Sequence, residues 1–184
     1  MSGPAAAGRS SLDGVAWGRV ERHADARGSF RELWRRRGLD IPVVQANLST
    51  SAAGVLRGLH LHERQVDYWV VTSGRALVAL VDVRPLIRGT GAPAVVETRE
   101  LEADGTVTIP PGVAHGFLAL EPLELVYLVT NEFDGSDERG FAWDDPAVGV
   151  PWPAGLPTPD GRPILSERDR TNPSLAELVE RLRA

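Results

Sequence analysis

Three of the four histidines in this chain fall in two short motifs bounded by glycine. The first runs from Gly54 to Gly74, GVLRGLHLHERQVDYWVVTSG, and contains His60, His62 and Asp67. Imidazole and carboxylate groups together are typical ligands of zinc, iron, nickel or manganese. A single imidazole is equally suited to proton transfer, because it titrates near neutral pH. The motif therefore indicates either a metal centre or a general base.

The phase of the strands decides which of these side chains can meet. His60 and His62 are two residues apart, so on a strand they project from the same face. After the polar break ERQ, the run DYWVVTS predicts a second strand with Asp67 and Trp69 on one face and Tyr68 on the other. Because the turn restarts the alternation of side chains, Asp67 can lie on the face that carries the histidines.

Short apolar or alternating runs, separated by Gly, Pro and Asp, fill the chain between about residue 14 and residue 150. Many short strands with turn signals at this spacing predict an all-β antiparallel sandwich or barrel. The predicted strands are VAWGRV, VVQANLS, GVLRGLHLH, DYWVVTSG, RALVALVDVR, AVVETREL, TVTIPPG, GFLALE and LELVYLVT.

The remainder of the chain has a different pattern. Residues 151–169 contain five prolines, which predict an extended surface segment. Asn172 and Pro173 then predict the cap and first turn of a helix, whose apolar residues form one stripe for docking. We expect a single domain over residues 12–184, preceded by a disordered lead at residues 1–11.

Composition narrows the classes of function. The 184 residues are 42% hydrophobic and 24% charged, with a formal net charge of -5, as in an ordinary globular domain. Neither nucleic acid nor a membrane is an expected partner, since basic residues are dispersed and no apolar run approaches the roughly 20 residues that cross a bilayer. The opening MSGPAAAGRSS lacks the features of a signal peptide, which predicts a cytoplasmic protein. Cysteine and lysine are absent, which excludes thiolate nucleophiles and Schiff-base chemistry.

The first motif resembles the cupin pattern G-x5-H-x-H-x4-E-x6-G, with Asp67 in the glutamate position. The second cupin motif centres on P-x-G-x2-H, and Pro110, Gly112 and His115 match it. In metal-binding cupins these motifs surround one divalent ion. The metal ligands implied by this resemblance are His60, His62, Asp67 and His115.

A narrower resemblance covers nearly the whole chain. The segments DARGSFRELW, QANLSTSAAGVLRGLH, VDVR, IPPGVAHGF, ERGFAWDDPAVGVPWP and LSERD are similar, in this order, to blocks of the dTDP-4-dehydrorhamnose 3,5-epimerases and their deoxysugar relatives. This resemblance implies a homodimeric cupin-type jelly roll with short helices and a C-terminal helix. It also implies a nucleotide-sugar substrate, a dTDP-4-keto-6-deoxyhexose, and no cofactor.

The family resemblance also implies roles for individual residues. The family's general base is the histidine of RGLH, and the aspartate of LS-x-x-D orients it; here these are His60 and Asp169. The arginines of RG-x-F and RGLH, here Arg27 and Arg57, are implied to bind the diphosphate, because a guanidinium group can donate two parallel hydrogen bonds to phosphate oxygens. The other positions implied around the substrate are Phe30, Glu32, Gln45, Asn47, His115 and Phe133.

Two positions depart from the family pattern. The lysine of Q-x-K-L, which stabilises the enolate oxygen, is replaced by Asp67, and a carboxylate would repel an enolate. The acid tyrosine is replaced by Phe133, which has no hydroxyl. A divalent cation held by Asp67 and His62 with His60 or His115 would restore positive charge, although a histidine bound to metal no longer serves as a base. Alternatively, Asp67 itself carries protons without a metal.

The leading prediction is an isomerase that epimerises a dTDP-4-keto-6-deoxyhexose at C3, C5 or both, in deoxysugar biosynthesis. One alternative is a metal-dependent cupin enzyme with different chemistry on the same scaffold. Another is a non-catalytic protein that binds a sugar nucleotide.

Overall fold

Two antiparallel sheets packed face to face form the body of the molecule. The computed structural model describes residues 5–6, 8–37 and 41–183. Every run predicted to be a strand contains one. The strands are β1 (Ala5–Ala6), β2 (Ala16–Arg19), β3 (Arg22–Asp25), β4 (Gly28–Arg31), β5 (Gln45–Ser51), β6 (Leu56–Leu61), β7 (Asp67–Ser73), β8 (Arg75–Asp82), β9 (Val95–Glu102), β10 (Gly105–Ile109), β11 (Val113–Ala119), β12 (Leu123–Val129) and β13 (Arg139–Gly140).

The two strands of the first motif, β6 and β7, lie in different sheets. The six-stranded sheet has the order β1-β2-β10-β7-β12-β5, and the five-stranded sheet has the order β13-β6-β11-β8-β9. The all-β antiparallel sandwich predicted from the sequence is therefore confirmed. Because β7 and β6 face each other across the sandwich, Asp67 and His60 reach the interior from opposite walls.

The alternation of side chains along the strands builds three apolar clusters. Trp69 and Phe117 belong to the core between the two sheets. Leu59 and Leu178 belong to a second cluster, on the outer face of the five-stranded sheet. Tyr68 packs in a third cluster on the other side of β7. Tyr68 and Trp69 thus lie on opposite faces of β7, as their phase predicted.

A small hairpin, β3 with β4, forms a separate two-stranded sheet that the sequence analysis did not predict. Its residues are mostly exposed, so they show no apolar alternation. Asp104, in the turn between β9 and β10, holds it in place by accepting hydrogen bonds from Arg22 at 2.8 Å and Arg31 at 2.8 Å. The hairpin is thus stabilised by charged groups far away in the sequence.

Three short helices are present in the described chain: α1 (Arg84–Ile87), α2 (Glu167–Thr171) and α3 (Leu175–Arg183). The predicted terminal helix begins at Leu175 and not at Pro173. The reason is a capping box, in which the Ser174 hydroxyl accepts from the amide of Glu177 at 3.3 Å and the Glu177 carboxylate accepts from the amide of Ser174 at 2.8 Å. Asn172 instead ends α2, which lies partly within the segment predicted to be extended.

The predicted lead at residues 1–11 lies partly outside the described residues. Within its described part, the hydroxyls of Ser10 and Ser11 donate to Glu97 at 2.8 and 2.7 Å. The single domain over residues 12–184 stays a prediction. Among the described residues, no helix has the length and apolar character needed to cross a membrane.

Candidate active site

A bulge in β6 brings Arg57 and His60 onto the inner face of the sandwich. His60 lies opposite His115 of β11, and Arg57 lies opposite Phe117. Two residues separate Arg57 from His60 on β6, whereas one residue separates His115 from Phe117 on β11, so β6 has one extra residue here. The extra residue resets the alternation of β6. Both side chains therefore line the same cavity, whereas Leu59 between them is buried on the outer face.

Two glycines permit the close approach of β6 and β11 at this bulge. Gly58 has φ +126°, and a Cβ there would lie 2.6 Å from the Cα of Gly116. A Cβ on Gly116 would lie 2.7 Å from the carbonyl oxygen of Arg57. The backbone therefore requires glycine at both positions, in RGLH and in AHGF.

His60 is held by Asp169 of α2. Nε2 of His60 lies 2.8 Å from Oδ1 of Asp169, whose other oxygen accepts the Ser166 hydroxyl at 2.9 Å. Because an ionised carboxylate can only accept, Nε2 donates and Nδ1 keeps the lone pair. Burial acts to raise the pKa of Asp169. The hydrogen bond from His60, the charge that His60 carries when protonated and the hydrogen bond from Ser166 together hold that pKa below its ordinary value.

Glu138 approaches His60 from the other side. Its Oε1 lies 4.0 Å from Nδ1 of His60, and its Oε2 lies 2.7 Å from a guanidinium nitrogen of Arg168. Glu138 was not among the predicted site residues, although it begins the family block ERGFAWDDPAVGVPWP. Its position depends on the pairing of β13 with β6, which no local pattern shows.

His62, Asp67 and His115 form a second group of titratable side chains. One ligand atom from each lies within 4.8 Å of the others. Nε2 of His115 is 3.7 Å from Oδ2 of Asp67, and the rings of His62 and His115 have centroids 5.3 Å apart. His60 is outside this group, so the four residues of the implied metal set are divided between it and the His60–Asp169 pair.

His115 is the most deeply buried histidine of this group. Only 4% of its surface is exposed, and the Trp69 ring packs edge-on against it at 5.2 Å. Burial lowers the pKa of His115 to about 4, although the neighbouring Asp67 acts to raise it. The ring is therefore neutral at pH 7. Its Nδ1 lies 3.2 Å from the carbonyl oxygen of Val113, to which it donates.

A cavity of about 420 Å³ connects the two groups. Gln45 and Asn47 line it from β5, and their amides are hydrogen bonded at 2.8 Å. Phe133 lies at the rim, 69% exposed, with its backbone N–H donating to Gln45 at 2.9 Å. Tyr127 of β12 also lines the cavity. The alternation along LELVYLVT places Tyr127 on the same face as Leu125, although Tyr127 was not among the predicted site residues.

Arg57 presents a guanidinium to the same cavity. Its Nε donates to the Ser51 hydroxyl and one terminal nitrogen donates to the Thr50 carbonyl, both at 3.1 Å. No carboxylate forms an ion pair with it in the part of the chain that the structure describes. The remaining N–H groups are thus available to an anion.

Three of the residues expected to contact substrate do not reach this cavity. Arg27 pairs with Asp25 on the hairpin, and its side chain is 90% exposed. Phe30 is 67% exposed, and Glu32 pairs with Arg35. In this structure, these three side chains therefore do not contact a substrate bound in the cavity of their own chain.

Known proteins share both the sequence and the architecture. The family model described as dTDP-4-dehydrorhamnose 3,5-epimerase matches residues 9–177. A protein of that name from Streptomyces griseus is 34% identical, over 93% of this chain and 87% of the relative. The chain belongs to the dTDP-4-dehydrorhamnose 3,5-epimerase family. It is therefore an enzyme of the isomerase class with a cupin-like jelly-roll fold.

Relatives within this epimerase family differ in their reaction. A Streptomyces sp. protein named dTDP-4-dehydro-6-deoxyglucose 3-epimerase is 34% identical, over 87% of this chain and 83% of its own length. The structure of ChmJ, described as a 3'-monoepimerase from Streptomyces bikiniensis in complex with dTDP-quinovose, is 29% identical with a TM-score of 0.77. That alignment covers 95% of this chain and 98% of ChmJ.

The two departures from the family pattern have different surroundings. Asp67, in place of the implied lysine, is buried in the cavity wall beside His115. Phe133, in place of the implied tyrosine, lies at the exposed rim. The first change therefore alters the charge of the epimerase interior, and the second removes a hydroxyl from its entrance.

Proposed function

We propose that this chain epimerises a dTDP-4-keto-6-deoxyhexose at C3, or at C3 and C5, as a step in deoxysugar biosynthesis. The His60–Asp169 pair, which opens onto a cavity containing the guanidinium of Arg57, carries this proposal. The names of the relatives support the substrate class, and they include both single and double epimerases.

His60 is the base in this mechanism and acts through Nδ1. It takes the proton from C3, the electrons of that C–H bond form a C3=C4 double bond, and the C4 carbonyl becomes an enolate. Asp169 stays ionised, keeps the ring oriented and stabilises the imidazolium. A proton delivered to the opposite face of C3 re-forms the ketone and inverts the centre. This chemistry involves no redox step, so it requires no organic cofactor.

Tyr127 is the proposed proton donor. It belongs to the six-stranded sheet, whereas His60 belongs to the five-stranded sheet, so the two groups line opposite walls of the cavity. Its hydroxyl has no hydrogen-bond partner among the described residues. Burial, aided by the charge of Asp67, raises the pKa of Tyr127, which keeps the phenol protonated at neutral pH.

The nucleotide part of the substrate has a matching set of groups. Arg57 supplies a guanidinium for the diphosphate. The amides of Gln45 and Asn47 on β5 supply donors and acceptors for a pyrimidine edge. The rim ring of Phe133 offers a flat apolar surface next to them.

We also propose a cytoplasmic homodimer. β5 is an edge strand whose outward residue Leu48 is 63% exposed, and such an edge favours pairing with a second chain. In a dimer, the exposed Arg27, Phe30 and Glu32 can serve the cavity of the partner copy. Light scattering tests whether the chain is a dimer. Mixing His60→Asn chains with Arg27→Ala chains, each expected to be inactive alone, tests whether one site uses residues of both copies. Activity should reappear in the mixture only if it does.

Solvent exchange tests the proposed reaction. In D2O with dTDP-4-keto-6-deoxyglucose, proton NMR should show deuterium entering at C3, and also at C5 if both centres are epimerised. His60→Asn should slow exchange by about 10²–10⁴-fold, and substitution of the exposed His23 by Gln should leave it unchanged. If neither carbon exchanges although dTDP raises the melting temperature, the chain is a sugar-nucleotide binder and the proposal fails.

A further inference from the structure

We infer that His62, Asp67 and His115 form a binding site for one divalent transition-metal ion of the zinc type. Two imidazoles and one carboxylate are a donor set that zinc accepts, with a remaining position open to the cavity. The three residues come from different strands or their ends, and the fold brings one ligand atom of each within 4.8 Å of the others.

Both histidines already present the nitrogen that a metal needs. Nδ1 of His62 lies 3.0 Å from the carbonyl oxygen of Asp137, and Nδ1 of His115 lies 3.2 Å from that of Val113. A carbonyl can only accept, so each Nδ1 carries the proton and each Nε2 keeps its lone pair. This second layer of hydrogen bonds is the arrangement found behind metal-ligating histidines.

Asp67 is oriented in the same way. One carboxylate oxygen accepts from the Gln65 amide at 2.7 Å, and the other accepts from the Trp69 indole at 3.1 Å. Only 4% of the surface of the residue is exposed. These contacts fix the carboxylate beside the two imidazoles, so Asp67 itself needs little reorganisation on binding.

The burial of Asp67 favours a cationic partner. Buried carboxylates are normally paired with a cationic group or a metal. No arginine forms an ion pair with Asp67 in the described chain, and the sequence contains no lysine. His115, whose Nε2 lies 3.7 Å from Oδ2 of Asp67, is the one ion-pair candidate that the described residues offer it. A bound divalent ion would give this buried carboxylate a cationic partner.

The distances require a modest contraction. With bonds of about 2.0–2.1 Å, tetrahedral zinc ligands lie roughly 3.3 Å apart. The separation of 3.7 Å between His115 and Asp67 is already close to this value, and the widest separation in the group is at most 4.8 Å. Rotation of His62, which is only half-buried and follows the end of β6, can supply the difference.

The metal and the base need not compete for one histidine. His60 donates to Asp169 and lies outside the three-residue group. The role of the ion rests on the proposed epimerase function: a bound ion would supply positive charge near the enolate oxygen, at the position where the family pattern has lysine and this chain has Asp67.

Metal binding is measured without reference to activity. Chelator-stripped protein is titrated with Zn²⁺ by calorimetry, and Co²⁺ serves as a visible-absorption probe. We expect one ion per chain, a loss of affinity of at least about 100-fold in Asp67→Asn and in His62→Gln, and no change in the control substitution of exposed His23 by Gln. The second variant keeps the test valid if Asp67→Asn does not fold.

Two results would overturn the site: uptake below about a tenth of an equivalent per chain, or wild-type affinity in both ligand variants. His60→Asn separates this inference from the proposed function, because it should bind Zn²⁺ normally while losing exchange. Zn²⁺ binding without any deuterium exchange in the wild-type protein would contradict only the epimerase proposal. Deuterium exchange at the full rate in metal-free protein that takes up no Zn²⁺ would contradict only the metal site.

Discussion

Replacing Asp169 by Asn isolates the charge behind the proposed base. The amide keeps an oxygen that can accept from Nε2 of His60, so the ring stays oriented, but the negative charge beside the developing imidazolium is lost. The two groups are 2.8 Å apart at their nearest atoms, which places their charge centres about 4 Å apart. The side chains are 4% and 23% exposed, so solvent screens the pair only partly.

At an effective dielectric constant of about 20, charges about 4 Å apart interact by about 4 kcal/mol. Allowing for the exposed edge of His60, we expect Asp169→Asn to lose about 3–4 kcal/mol of transition-state stabilisation, or about 10²–10³ in kcat. Asp169 does not line the cavity. The KM and the Kd for dTDP should therefore change less than about twofold.

The assay is deuterium incorporation at saturating substrate, with the exposed Asp144 replaced by Asn as a matched control. Melting temperature and dTDP affinity confirm that each variant is folded. A kcat within about threefold of wild type would show that Asp169 does not assist His60. A loss confined to KM would show that it acts on substrate binding and not on the base.

The other predictions concern binding, packing, acid stability and the donor. Arg57→Gln should weaken dTDP binding about 10–100-fold by calorimetry, because a charge-assisted hydrogen bond contributes about 1.5–3 kcal/mol; unchanged affinity would remove Arg57 from the diphosphate site. Gly116→Ala should destabilise the fold by about 1–3 kcal/mol in urea, since its Cβ would lie 2.7 Å from a carbonyl oxygen; an unchanged midpoint would contradict the close approach. Because the folded-state pKa of Asp169 is below its ordinary value of 3.8, the contribution of Asp169 to stability is present above pH 3.8 and is lost as the pH falls through the folded pKa. The stability of Asp169→Asn should thus fall less steeply in acid, and parallel curves would argue against this pairing. Tyr127→Phe should still take deuterium at C3 but without inversion, and normal inversion would assign the donor elsewhere.

The strands of the sandwich were predictable because each lies in a short apolar or alternating run that is bounded by turn residues. The same reasoning placed Tyr68 and Trp69 on opposite faces, as observed. The β3–β4 hairpin gave no such signal, since its stability comes from Asp104, which is far away in the sequence. The short helix α2 was missed for a similar reason, because a cap at Ser166 outweighs the extended character of the proline-rich segment before it.

The site was predictable only in part. Strict alternation puts His60 and His62 on one face but does not bring Arg57 onto it, and the bulge that does so depends on β11 as a partner. The contact of His60 with Asp169 spans 109 residues, so only the family resemblance could propose it. Glu138 and Tyr127 were missed because neither carries a motif of its own.

The proline-rich stretch that leads to α2 has a practical meaning for handling this protein. The stretch returns to the sandwich at Ile164, which exchanges backbone hydrogen bonds with Gly54 and Leu56. A protease that nicks the exposed turns before Ile164 would leave the strand pairs intact and the β-sheet circular dichroism unchanged. Yet Asp169 would then be tethered to the catalytic wall by noncovalent contacts alone. Turnover should thus detect a nick in this stretch that β-sheet circular dichroism does not.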